Sequence, residues 1–340
     1  MILIAIFCAG LWMLGRTLNA PGYQRWLVVI AVWMLAFVWF RVPQDMDSDS
    51  ARVWVLVTFG AVLVLGYNSL LAWLKRRKPQ PVPPVPPLFQ PQELDRYARH
   101  ILLREIGGPG QKAMKQARVL VIGAGGLGSP ALMYLAAAGV GVIGVMDDDV
   151  VEASNLQRQI IHETQNIGRD KVASAKAAML ALNPYVQVTA IKARFNADTA
   201  SILGDYDLIL DGSDNFDTRY LVNRIAAQTR KPLISAAITQ WEGQISLYDP
   251  AHGTACYECI FPNRPAPGMV PTCAEAGVAA PLPGVVGAMM AMEAVKHLTG
   301  AGQGLQGRLM IYDALYAEVR VIGIKPRADC AVCGIGSAPY

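Results

Sequence analysis

The sequence predicts an α/β fold: a doubly wound, mainly parallel sheet over residues 93–340, with membrane-crossing helices before it. Three observations carry that expectation. Only 16% of the 340 residues are charged, against roughly 25% in an average soluble chain, and residues 1–74 hold just Arg16, Arg25, Arg41, Asp45, Asp47, Asp49 and Arg52. From Glu93 onward strand-like and helix-like patterns alternate, which favours parallel strands joined by helical crossovers. Within that alternation a glycine-rich turn directly follows one strand and opens a helix.

The first 74 residues contain three apolar runs. Val53 to Leu74 is uncharged for 22 residues, about 33 Å of helix against a hydrocarbon core of roughly 30 Å. Trp26 to Phe40 is shorter, but Arg25 and Arg41 can extend their stems to an interface that suits Trp26, Trp33 and Trp39. Met1 to Gly15 lacks the basic start and small-residue cleavage site of a signal peptide. The expectation is a transmembrane region, 1–74, of three helices, with two as the alternative, in the inner (cytoplasmic) membrane. Lys75, Arg76, Arg77 and Lys78 follow the third run, and basic residues stay on the cytoplasmic side, so the catalytic part is expected to face the cytoplasm. Residues 75–92 form a basic, proline-rich linker. Its prolines favour an extended spacer of about 3.1 Å per residue; an SH3-type ligand is the other reading.

Residues 93–340 read as one catalytic unit. Glu93 to Leu103 and Pro109 to Gln116 have helical patterns, and Arg118 to Ile122 is a strand. Gly123-Ala124-Gly125-Gly126-Leu127-Gly128 follows, then a helix to about Ala138 and a strand, Val142 to Met146. Gly123, Gly125 and Gly128 have the G-x-G-x-x-G spacing, in which missing side chains let the backbone turn tightly and approach a phosphate at a helix N-terminus. Asp147 lies at the next strand's end, where a carboxylate can accept hydrogen bonds from ribose hydroxyls. Close helix-strand packing is the other use of such glycines. The alternation continues with a helix at Lys171 to Leu182, strands at Val186 to Ala190 and Asp207 to Asp211, a helix at Asn215 to Thr229 and a strand at Pro232 to Ala237.

The surroundings of the turn choose among nucleotide chemistries. A net charge of +4, without interleaved basic and aromatic residues, argues against nucleic acid as a partner. A nicotinamide dehydrogenase needs a proton-transferring side chain, yet His100, His162, His252 and His297 are scattered singly. Instead the loops supply Asn155, Arg158, Lys171 and Asp214. Ligands of such sheets bind where loops leave the carboxyl ends of strands, so these groups suit a triphosphate with a metal ion. Cys256/Cys259 and Cys330/Cys333 make two C-x-x-C pairs, pointing to metal or redox chemistry.

In order, GAGGLG, the acidic strand end DDD, SNLQRQ, the Lys171 region, DGSDN, CYEC, TCAEAGV and CAVC resemble the ThiF/MoeB/HesA adenylyltransferases, relatives of ubiquitin-activating enzymes. Within that family they are most similar to the molybdopterin-synthase adenylyltransferase branch. The likeness runs from about Arg96 to Cys333, leaving the first 92 residues outside it. It implies a Rossmann-like domain that uses ATP with Mg2+ to adenylate the C-terminal Gly-Gly of a ubiquitin-like sulfur carrier, of MoaD type or alternatively ThiS, with sulfur from a separate donor. By the resemblance Gly123, Gly125, Gly126 and Gly128 hold the nucleotide, Asp147 its ribose, Asn155, Arg158 and Lys171 the phosphate region, and Asp214 the magnesium ion. Arg99 matches an arginine that reaches the partner's ATP in a homodimer. Cys256, Cys259, Cys330 and Cys333 would bind structural Zn2+ and pin the C-terminal region, with redox pairs as the alternative. Cys273 matches a cysteine that is covalently reactive in some branches; covalent and structural roles both stay open. A non-catalytic scaffold is the reading outside enzymes.

Overall fold

The computed structural model describes residues 2–17, 22–41, 49–77, 88–266, 269 and 273–334. The chain divides into two compact units, Met1–Pro86 and Pro87–Tyr340.

The first unit contains three helices, α1 (Ile2–Thr17), α2 (Gly22–Arg41) and α3 (Asp49–Arg77). α1 packs on α2, with the Trp12 and Trp26 rings edge to face at 6.4 Å and the Arg25 guanidinium 5.7 Å from the centre of the Trp12 ring. Among the described residues no helix is long and apolar enough to cross a membrane. That overturns the expected inner-membrane location, and among the described residues no helix supports the expected spans or the orientation drawn from them. The 16 residues of α1 rise about 24 Å. In α2 the apolar run lies between Arg25 and Arg41, about 24 Å apart along the axis. The proline-rich spacer falls largely on 78–87, outside the described residues.

The second unit begins with α4 (Pro91–Ile101) and α5 (Gly107–Gln116). Pro91 opens α4, where a missing N–H costs nothing, and the Glu93 carboxylate accepts the Gln90 N–H at 2.9 Å. Next come β1 (Arg118–Ile122), α6 (Gly128–Ala138), β2 (Val142–Met146), α7 (Lys171–Leu182), β3 (Gln187–Ile191), β4 (Leu208–Asp211), α8 (Phe216–Gln228) and β5 (Leu233–Ile238). β6 (Glu242–Tyr248), α9 (Tyr257–Ile260), α10 (Cys273–Ala276), α11 (Pro281–Thr299), β7 (Arg308–Asp313) and β8 (Glu318–Gly323) complete it.

The strands form one sheet in the order β3-β2-β1-β4-β5-β6-β7-β8. β3 through β5 in that order are parallel, and β6, β7 and β8 join antiparallel. The expected parallel half is present with boundaries within a residue or so. The antiparallel extension was not expected: only three residues separate β5 from β6, too few for a parallel crossover. Strand order reverses between β1 and β4, creating the crevice in which such sheets bind ligands.

Both faces of the parallel half are covered, so β1 reads as an unbroken apolar run. Val119 and Val121 face a core shared with Leu132 and Leu135 of α6 and Met290 of α11; Leu120 and Ile122 face Leu203, Ile209 and Tyr220. Asn183 ties the front helices to this core. Fully buried, it donates to Tyr97 Oη at 2.8 Å and to the Ala136 carbonyl at 2.7 Å, and accepts from the Tyr185 N–H at 3.2 Å. Asn183→Ala strands those groups without water, and unfolding in urea should show a loss of about 1–3 kcal/mol.

Candidate functional site

The glycine turn is shaped by one close approach. Gly123 has φ +95°, and a Cβ on Gly128 would lie 1.9 Å from the Gly123 carbonyl oxygen, so no side chain fits there. A Cβ on Gly126 would meet Pro283 at 3.0 Å. At Gly125 it would find only Gln159 Nε2 at 3.7 Å, an ordinary contact. The protein's own packing therefore demands Gly123 and Gly128 but leaves space beside Gly125. Gly212, just after β4, touches the same turn: its Cβ would be 3.3 Å from Gly128 N.

Ala124 is held from both ends. Its N–H donates to Asp147 Oδ2 at 2.7 Å, while its carbonyl meets His162 Nε2 at 2.9 Å. Asp147 also accepts the Asp149 N–H at 2.9 Å. Burial raises its pKa, against the opposing pull of the Ala124 hydrogen bond and Lys171. Buried Lys171 pairs with Asp149 Oδ2 at 2.7 Å. Asn155 Oδ1 accepts from Gln159 Nε2 at 2.7 Å, and Arg158 donates to the Ser154 carbonyl at 3.3 Å while its stem lies beside Gly126. Asp147, Asn155, Arg158 and Lys171 are thus gathered around the turn or linked to it.

Asp214 is exposed in the loop between Gly212 and α8, whose N-cap Asn215 accepts the Thr218 N–H at 2.9 Å. That loop rests on a buried network the sequence reading missed. Asp211 accepts from Ser213 Oγ at 2.6 Å and Ser235 Oγ at 2.9 Å. Arg219, 3.8 Å from Asp211, donates to Ser235 Oγ, the Ala236 carbonyl and the Ser213 carbonyl. The sequence carried no signal for it, since α8 also holds Arg224 and neither arginine stands out by spacing. Arg99 is exposed on α4, and none of the hydrogen bonds joining the turn, Asp147, Asn155 and Lys171 reaches it. Cys273 opens α10, but its side chain lies outside the described residues.

The four remaining candidate cysteines do converge. Cys256 caps α9, and its Sγ lies 3.9 Å from Cys259 and 3.6 Å from Cys330, with Cys259 and Cys333 3.4 Å apart. All four sulfurs lie within 4.8 Å of one another, so the group can hold a metal ion. A tetrahedron with metal–sulfur bonds of about 2.3 Å has edges of about 3.8 Å, matching this set. The distances between the two pairs are shorter than that within Cys256/Cys259, which opposes separate redox pairs. Burial and neighbouring sulfurs push the Cys256 thiol up, and burial with the Cys259 contact raises Cys333 to about 12. Burial acts to raise Cys330 too, but the backbone N–H groups of Cys333 and Val332 bring it below the usual thiol value.

The ThiF family model matches residues 97–332. The chain belongs to the ThiF family. This ThiF domain is similar to a sulfur carrier protein adenylyltransferase of Thermus thermophilus, 49% identical over 72% of the chain and 92% of the relative. A probable adenylyltransferase/sulfurtransferase, MoeZ, of Mycobacterium tuberculosis is 47% identical over 71% of the chain but only 64% of its own length. Among solved structures, E. coli MccB superposes with a TM-score of 0.62 at 23% identity, covering 71% of the chain and 75% of MccB, a likeness of fold.

The Asp211–Arg219 pair yields a direct expectation. Arg219→Met leaves a carboxylate buried without its cation, and chemical denaturation should show a loss of about 3–5 kcal/mol.

Proposed function

We propose that the ThiF domain adenylates the C-terminal glycine carboxylate of a ubiquitin-like sulfur carrier of the MoaD type. A carboxylate oxygen forms the new bond to the α-phosphorus of ATP. The bond to the β-phosphate oxygen breaks, and pyrophosphate departs with that electron pair. The observation that carries this reading is the glycine-rich turn at the sheet's switch point, with Arg158 and Lys171 linked to it. The Thermus relative's name supports the carrier as substrate.

A terminal carboxyl group, with a pKa near 3.5, is ionised at neutral pH, so the nucleophile needs no general base. The barrier is repulsion between an anion and a polyanion, which placed cations lower. Gly125 leaves the backbone open to the phosphates, and Arg158, Asn155 and Lys171 bind and orient them. Asp147 meets the ribose from its place beside the turn. Two buried polar atoms without partners among the described residues, Ser129 Oγ and Gln159 Oε1, flank the turn and suit a polar ligand. Asp214 would hold Mg2+, which supplies charge neutralisation on the departing pyrophosphate. Exposed Arg99 completes a partner's site in a homodimer. Cys273 takes no part in adenylation.

Zinc is the metal of the four-cysteine cluster, and its role is structural: four thiolates fill a tetrahedral shell and leave no position for water. It fastens the turn at 330–333 to α9.

The full chain should catalyse magnesium-dependent ATP–pyrophosphate exchange with a MoaD-type carrier and none when the carrier's Gly-Gly is deleted. Exchange with a ThiS-type carrier alone would reassign the carrier, and exchange with neither would refute the reaction. Asp214→Ala should abolish exchange while leaving circular dichroism and metal content unchanged; Cys273→Ser should retain it. Elemental analysis should find one zinc per chain, lost in Cys333→Ser together with several degrees of thermal stability.

A further inference from the structure

His162 plays no part in the reaction as written, yet it is buried beside the glycine turn. A carbonyl oxygen only accepts, so Nε2 carries the proton in its 2.9 Å contact with the Ala124 carbonyl. Nδ1 therefore accepts from Ser174 Oγ, also at 2.9 Å, in the first turn of α7. Burial lowers the imidazole's pKa, and Lys171 adds to that effect, in keeping with a neutral ring.

The carbonyl that His162 occupies is the one to which α6 would otherwise turn. Ala124 O stands three and four residues before Leu127 and Gly128, the positions from which a helical N–H would bond to it. The first bond of α6 runs instead from Ser129 N to Gly125 O, at 2.9 Å. Among the described residues, no acceptor meets the amides of Gly125, Gly126, Leu127 and Gly128. Asp147 takes the N–H of the same Ala124 residue. Ala124 is therefore clamped on both sides, and its carbonyl takes no part in the bonding of α6.

We infer that His162 is a positioning residue for ATP: by holding the Ala124 carbonyl, it keeps the amides at the start of α6 free for the nucleotide's phosphates. Free amides at a helix N-terminus are anion donors. Without the imidazole, Ala124 O is available to Leu127 and Gly128, and α6 can close over its own donors. This rests on the proposed use of ATP at this turn.

The test compares wild type, His162→Leu and His162→Gln as full-length chains, measuring ATP affinity by calorimetry and then KM and kcat in pyrophosphate exchange. His162→Leu should raise the dissociation constant and KM for ATP by about 3- to 10-fold, with kcat and the KM for carrier little changed. His162→Gln, whose amide can donate from nearly the same place, should restore most of the affinity. Equal ATP affinity in folded His162→Leu and wild type overturns the inference, as does a loss confined to thermal stability. Wild type that binds no ATP overturns instead the reading beneath it. If His162→Leu does not fold, His162→Asn, whose shorter side chain draws the donor away from the Ala124 carbonyl, carries the comparison: weaker ATP binding supports the inference, and unchanged binding refutes it.

Discussion

The contact between the Gly123 carbonyl oxygen and the α-carbon of Gly128 is the constraint on which the site depends. A methyl group at Gly128 would sit 1.9 Å from that oxygen, so the chain can turn this sharply only with hydrogen there. The turn sends α6 back along β1 and leaves its N-terminus at the point where strand order reverses. Gly212 extends the same logic to β4, because a residue with a side chain would press on the start of α6. Two loops thus meet closely at Gly128 and Gly212, with Leu127 beside them.

Charge is stored around this point in unequal ways. Lys171 is buried but paired with an exposed Asp149 carboxylate. Asp211 and Arg219 are both buried and share Ser235, so their pairing is a fixed part of the β4–α8 connection. Arg219 also lies 5.9 Å from the centre of the Tyr257 ring, and Tyr257 N donates to Asn223 of α8 at 2.9 Å. Since Tyr257 stands between Cys256 and Cys259, the cysteine cluster and the Asp214 loop are supported by the same helix. The cysteine cluster and the loop after β4 are therefore mechanically joined through α8.

Much of this was legible in the sequence where a feature is local. The glycine spacing marks a strand-to-helix turn because its geometry lies within six residues, and Asp147 follows from the end of the next strand. The C-x-x-C pairs announce sulfur ligands, but 70 residues separate Cys259 from Cys330, and only the folded chain brings them together. His162 and Arg219 were not legible: an isolated histidine and one helical arginine have no periodicity, and their meaning comes from a carbonyl and a carboxylate distant in sequence. β6, β7 and β8 escaped because a partly exposed antiparallel extension lacks the apolar continuity of the parallel strands; β8 is exposed throughout. The N-terminal runs show the opposite failure, since apolar composition suggested membrane spans that the described helices do not provide.

The central claim is attack by a carrier carboxylate on the α-phosphorus of ATP. Its most direct test is to incubate the full chain and carrier with ATP labelled at the α- or the γ-phosphate and follow the label on the carrier. The account predicts α-label bound to the carrier, absent when its terminal glycines are removed, with γ-label appearing only in pyrophosphate. Transfer of γ-label to the carrier, or α-label retained by a carrier without its tail, would contradict it.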